Sequence, residues 1–236
     1  MKNIISIQGY KGSGKDEAAK YINYILNTPF WMHVYWLAKL LNFQPVIHRW
    51  KITRYADSLK RMLAIMMNVE VSRFEDRDFK ENYYFDFNNY TLIKSPATST
   101  ISDKAFAREL KRGNLDVALR YNLSIRQVLQ FFGTEIIRKF FGDKLWIYTT
   151  LNSDQNNLII ADQRFIVENE EISKAKYNSY IIHIIREGCT AGSHASEKEI
   201  QELYNTRSYS ILLYNNGTLK DLFYKCKNIV YCNLLS

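Results

Sequence analysis

Cysteine, proline, glycine and histidine are all scarce in this 236-residue chain, and each scarcity closes off an answer. The three cysteines, Cys189, Cys226 and Cys232, are too few and too unevenly placed for a disulfide framework, and no Cys-x-x-Cys or Cys/His spacing suggests structural zinc. They read as reduced thiols of a cytoplasmic protein. With only three prolines, 47 % hydrophobic residues and 14 % aromatics, disorder is not expected. No apolar run approaches the roughly 18 residues of a membrane span, so a membrane is not an expected partner. The four histidines, His33, His48, His183 and His194, are scattered without a pair at metal spacing, and no Ser/His/Asp set stands out. His183, inside an apolar run, reads as a core histidine. The Asn-Lys-x-Asp signature of regulatory GTPases is missing as well. Residues 1–8 are broken by Ser6 and run straight into glycine, which is the pattern of a first strand and not of a signal peptide.

What the chain does have is positive charge and one glycine cluster. The 32 basic against 24 acidic residues give +8, a balance that suits a nucleotide, a nucleic acid or an acidic surface equally. Of nine glycines, Gly9, Gly12 and Gly14 fall within six positions. The apolar run 3–8 before them reads as a buried strand, and Ala18, Ala19, Ile22, Ile25 and Leu26 after them recur at helical spacing. Strand, glycine loop and helix therefore follow one another. In Gly9-Tyr-Lys11-Gly12-Ser13-Gly14-Lys15-Asp16 the pattern G-x-x-x-x-G-K is met in that context. Glycines let successive backbone N–H groups curl around a phosphate at a helix amino terminus, and the lysine adds a point charge for the outer phosphates. The usual Ser or Thr that ligates magnesium is here Asp16, which either holds Mg²⁺ or serves only as a helix-start residue favoured by the dipole.

Further along, 50–56 reads as a strand and 58–67 as a helix. Residues 70–122 break the alternation with a charged stretch, an aromatic hairpin turning at Asn88-Asn89, and a basic patch at Lys104, Arg108, Lys111 and Arg112; we read them as an inserted subdomain. Ser124 with Gln127 makes a capping box for a helix through residue 140. On that helix Arg126, Gln130 and Gly133 share one face and Leu129, Phe132 and Ile136 another, leaving either an arginine poised for a phosphate or an ordinary surface face. Strands are expected over 157–161, 180–185, 210–214 and 228–231, with helices between them. The whole is an α/β architecture, a parallel sheet flanked by helices. Asp162 ends one strand, where a phosphate-loop protein places a metal-orienting carboxylate, although a structural aspartate is as common there. Arg164, two residues on, points the same way if the chain stays extended. Arg186 ends the next strand, either as a surface residue or as the start of a lid over 187–208. The aromatic run 30–43 suits a core helix or one facing a second copy in a homodimer.

Several stretches together resemble one family, the deoxynucleoside monophosphate kinases of tailed bacteriophages, within the P-loop nucleoside monophosphate kinase fold. They are the glycine loop, Tyr55-Ala-Asp57-Ser-Leu-Lys60, Ile125-Arg126-Gln-Val-Leu-Gln130-Phe-Phe-Gly-Thr-Glu135 with Arg138 and Trp146, Ile160-Ala-Asp162-Gln-Arg164-Phe165, and His194-Ala-Ser-Glu197. The resemblance implies transfer of the γ-phosphoryl group of ATP to a deoxynucleoside monophosphate. Arg126, Gln130 and Arg164 would hold the acceptor, with Asp57 and Lys60 on the acceptor side. Arg186 would reach in from the lid, and Asp162, with Asp16, would organise Mg²⁺. The partners so implied are small nucleotides and not nucleic acid. Two rivals stay in view: a kinase of hydroxymethylated bases in DNA, and a nucleotide-binding protein without transferase activity.

Overall fold

The computed structural model describes residues 2–28, 49–96, 99–175, 177–190 and 195–234. The helix expected over 30–43, His33 and His48, His194 and the 191–194 part of the expected lid lie outside them. In chain order the elements are β1 (Asn3–Gly9), α1 (Lys15–Asn27), β2 (Lys51–Thr53), α2 (Ala56–Met67), a 3-10 turn at Val71–Glu75, α3 (Arg77–Asn82), β3 (Tyr83–Asp86) and β4 (Thr91–Lys94). There follow α4 (Asp103–Lys111), α5 (Val117–Arg120), β5 (Leu123–Ser124), α6 (Ile125–Gln130), which runs on through a π-type turn at Phe131–Arg138 and a last turn at Lys139–Phe141, and α7 (Leu145–Leu151). The rest is β6 (Asn157–Gln163), α8 (Ile166–Lys174), β7 (Asn178–Ile185), α9 (Ala195–Asn205), β8 (Ile211–Tyr214) and α10 (Leu219–Ile229). The chain divides into two compact units, Met1–Tyr55 with Thr150–Ser236, and Ala56–Thr149.

The first unit is built on a five-stranded parallel sheet in the order β2-β6-β1-β7-β8. Strands covered on both faces must be apolar on both, and Ile4, Ile5, Ile7, Leu158, Ile159, Ile160, Ile182 and Ile184 are all buried. On one face Ile5, Ile7, Ile159, Ala161, Ile182 and Ile184 meet α1 and α10 through Ala18, Tyr21, Ile22, Leu222, Phe223 and Cys226. Tyr21 and Phe223 meet there edge to face at 5.5 Å. The strand expected over 228–231 is instead helix, α10 passing into a π-type turn at Val230–Leu234. Ile229 and Val230 continue the buried stripe of Leu222, Phe223 and Cys226, so the local apolar pair belongs to a helical period and not to a strand.

A second departure lies in β6. The strand runs two residues past Ala161, and its pairing with β1 goes from Ser6↔Ile160 to Gln8↔Gln163, so β6 spends one residue more than β1 over the same stretch. Such a bulge re-aims the side chains beyond it. Asp162 sits inside the bulge, and β6 ends at Gln163, beyond which the backbone N–H groups of Arg164 and Phe165 both donate to Glu168 Oε2, at 2.7 and 3.0 Å. Arg164 lies beyond the strand, so strand alternation does not fix its direction relative to Asp162.

The second unit carries the expected hairpin, with β4, β3 and β5 forming a small antiparallel sheet. Asp86 closes its turn by accepting from the backbone of Asn88 at 2.8 Å. The capping box forms as read: Gln127 N–H donates to Ser124 Oγ at 3.2 Å, and Ser124 N–H to Gln127 Oε1 at 3.0 Å. Which face is buried differs, however. Ile125, Val128, Phe131 and Ile137 are buried, while Leu129, Phe132 and Ile136 are only half-buried. The π-type turn changes the number of residues per turn from Phe131 onward, and a straight 3.6 period misplaces the stripe.

Candidate active site

The phosphate loop is held in place by its glycines and by the strands around it. Gly9, Gly12 and Gly14 all have positive φ, at 146°, 82° and 98°. A Cβ at Gly9 would stand 2.4 Å from the Ile184 carbonyl oxygen of β7, and one at Gly14 would stand 2.4 Å from Asn215 Nδ2. Both positions thus need glycine for conformation and for space. Asn215, just past β8, is buried; its amide donates to the Ser13 carbonyl at 2.8 Å, and its backbone N–H bonds Ile185 O at 2.7 Å. Nothing local in the sequence marks Asn215, which lies 202 positions from the residue it steadies.

Lys15 opens α1 and is itself buried, with only 8 % of its surface exposed. Its ammonium donates to the Gly9 and Tyr10 carbonyls, each at 2.6 Å. Burial, and after it the charge of Arg164, lower its pKa to about 8, while Asp16, Glu197 and Asp162 pull the other way. Four charged groups, three of them far along the chain, thus act on one ammonium. Arg164 is exposed, as are Lys11 and Arg186. Arg186 follows β7, and its carbonyl accepts from Cys189 N–H at 3.1 Å in a tight turn. That turn brings Cys189 Sγ within 3.5 Å of where a Gly12 Cβ would stand. Ser13 Oγ is buried and has no hydrogen-bond partner among the described residues.

The two carboxylates offered for a metal are engaged differently. Asp162 Oδ1 accepts the backbone N–H of Tyr55 at 2.9 Å. Asp16 stands on the surface, two-thirds exposed, and pairs with Arg54 at 2.9 Å. Among the described residues no three His, Cys, Asp or Glu side chains gather tightly enough to cage a metal by themselves. That composition fits Mg²⁺, which takes one or two carboxylates together with phosphate oxygens and waters and seldom an all-protein cage.

Glu197, in the first turn of α9, belongs to the stretch His194-Ala-Ser-Glu197, whose pattern alone points to no role for it. It is buried, and among the described residues its Oε2 has no hydrogen-bond partner. One turn further along α9, Gln201 accepts a hydrogen bond from the Tyr10 hydroxyl of the phosphate loop. Under the same end of the sheet His183 is buried on β7, its Nδ1 3.1 Å from Gln8 Nε2, with the rings of Tyr204 and Tyr209 at 5.3 and 5.6 Å. Burial, with the nearby Lys15 charge, lowers its pKa to about 4. It is the core histidine that the strand pattern suggested.

The remaining site residues lie in the second unit. Lys60 of α2 pairs with Glu75 at 2.6 Å and stands 3.8 Å from Asp57. Arg126, at the start of α6, pairs with Glu81 of α3 at 2.8 Å, and Gln130 lies one turn further on, half-buried. The structure brings Lys60, Asp57 and Arg126 together with carboxylates that sequence reasoning left out.

The family model described as deoxynucleotide monophosphate kinase matches residues 3–226. No curated protein matches the chain at a significant level. Among solved structures, a dephospho-CoA kinase from Campylobacter jejuni is similar at 13 % identity, covering 98 % of this chain and 96 % of that one, with a TM-score of 0.37. So loose a likeness adds nothing to what the sheet order and phosphate loop already say of the fold. The family match takes in both units and every described strand, and on that ground the chain belongs to the deoxynucleotide monophosphate kinase family.

Proposed function

We propose that the chain uses ATP and Mg²⁺ to phosphorylate a free deoxynucleoside monophosphate, with Lys15, Arg164 and Asp162 acting at the donor end. The observation that carries this reading is the pairing of a buried ammonium with a second cation: Lys15 rests on two neutral carbonyls while Arg164 bears on its charge. Two cations that oppose each other beside a glycine loop are relieved by an anion, and a polyphosphate at a helix amino terminus supplies it.

Phosphoryl transfer asks for positioning and charge neutralisation more than for covalent help. In this reading the N–H groups of the loop hold the phosphates, and Lys15 moves from the Gly9 and Tyr10 carbonyls to the outer phosphate. Arg164 meets the charge that develops on the group in transit, and Arg186 closes over it with the segment 187–208. Arg126 and Gln130, with Asp57 and Lys60, bind the acceptor from the second unit. Asp162 and Asp16 hold Mg²⁺, which when bound neutralises phosphate oxygens. The acceptor phosphate is already an anion, so no general base is required.

A monomeric acceptor is favoured over DNA by the character of the basic patch. Lys104, Arg108, Lys111 and Arg112 stand exposed on α4 and the residue after it, around Glu109, which pairs with Arg112 at 3.5 Å and Arg120 at 2.9 Å. A patch that carries its own counter-charge is a weak track for a phosphate backbone. Incubation with ATP and Mg²⁺ against each free monophosphate and against DNA, with products separated by chromatography, tests the proposal. Diphosphate formation from a free monophosphate is the expected result, and label appearing in DNA alone would overturn it.

A further inference from the structure

Four elements of the second unit contribute to a set of charges that the family stretches cover only in part. Lys60 comes from α2, Glu75 from the 3-10 turn, Lys80 and Glu81 from α3, and Arg126 from α6. Lys60 and Arg126 are occupied, by Glu75 at 2.6 Å and Glu81 at 2.8 Å. Glu81 is also 3.4 Å from Arg77, one turn away on its own helix, so it keeps a cationic neighbour if Arg126 leaves it. Lys80 differs from both. It is half-buried, and among the described residues its ammonium makes no ion pair or hydrogen bond. Burial lowers its pKa, and the charges of Lys60 and Arg126 lower it further, against a partial offset from Glu75 and Asp76. An ammonium held half out of water beside two other cations, without a carboxylate of its own, is an unbalanced group. A phosphomonoester dianion balances it.

We infer that Lys80 completes, with Lys60 and Arg126, the pocket for the phosphate of the acceptor nucleotide, and that Glu75 and Glu81 occupy those cations until the nucleotide displaces them. The inference rests on the reading of the second unit as the acceptor side. It adds a binding residue, Lys80, and gives two carboxylates the part of internal competitors. Because Glu81 and the acceptor phosphate compete for one guanidinium, removing the negative charge of Glu81 strengthens acceptor binding. A carboxylate that merely braced Arg126 would do the reverse when removed.

The test uses the full-length protein with steady-state kinetics for both substrates. Lys80→Met keeps the apolar stem and drops the charge. It is expected to raise the KM for the deoxynucleoside monophosphate about tenfold, with the KM for ATP unchanged and kcat within about threefold, since loss of a charge-assisted contact is of that order. Lys80→Arg should restore the acceptor KM. Glu81→Gln should lower the acceptor KM about threefold, and the monophosphate alone should raise the melting temperature of wild type more than that of Lys80→Met at the same concentration. An acceptor KM left unchanged by Lys80→Met, or raised by Glu81→Gln, overturns the inference while the kinase reading stands. Should wild-type protein turn over no free monophosphate at all, it is the kinase reading that fails.

Discussion

Lys15 in the first unit and Arg126 in the second are both expected to meet phosphate, yet their surroundings differ in kind. Lys15 is buried and bonded to two backbone carbonyls in a loop whose glycines tolerate no side chain. Arg126 is exposed and rests on a carboxylate, Glu81, that is itself exposed. A carbonyl partner is neutral, so Lys15 has no ion pair to give up when it turns to a phosphate. A carboxylate partner cancels charge and, at the surface, holds weakly. The donor end is therefore built in advance, while the acceptor end exchanges one anion for another.

That contrast can be broken most sharply at Arg164, an exposed cation whose charge bears on Lys15. Arg164→Ala should cost roughly 1000-fold in kcat if it meets the group in transit. A loss of less than tenfold would make it a surface residue. Next comes Lys15→Ala, for which at least about 100-fold is expected, with the melting temperature little changed. Activity within a few-fold of wild type would remove the phosphate-loop assignment.

Stability against acid should be a property of the first unit through His183. Its folded pKa, about 4, lies below the ordinary 6.5, so the unfolded chain binds the proton first. The stability it lends is complete above pH 6.5, is lost as the pH falls towards 4, and amounts to about 3 kcal/mol at most. Urea midpoints measured from pH 7 to 4 should fall less steeply in His183→Gln than in wild type; parallel curves would deny the histidine this part. Asn215→Ala removes the steadying bond to Ser13 and should raise the KM for ATP about tenfold, leaving the acceptor KM alone. The smallest effect is expected from neutralising Lys104, Arg108, Lys111 and Arg112 together, which should keep monophosphate turnover within about an order of magnitude; a larger loss would restore the DNA reading.

What sequence could disclose followed from local chemistry. The glycine loop, the capping box at Ser124 and the hairpin over Asn88-Asn89 are each decided within a few residues, and each formed where it was read. The misses share a different cause. Ile229 and Val230 became helix because the buried stripe of α10 claimed them. The bulge in β6, in which Asp162 sits, depends on register with β1, far away in the chain. Glu75, Glu81 and Lys80 sit in a charged stretch that, in one dimension, looks like solvated surface. Their placement against Lys60 and Arg126 is a property of packed helices.

The amide of Asn215 reaching back to Ser13 has a consequence for how the molecule comes into being. The loop near the start of the chain is finished by a residue near its end, and β1 itself lies between β6 and β7, whose residues are made more than 150 positions later. During synthesis the glycine loop must emerge long before anything can shape it, so bound nucleotide cannot template the early stages of folding. Competence to hold ATP should arise late and in one step, when β8 docks. A nascent chain halted before that strand would be one that nucleotide fails to protect from proteolysis.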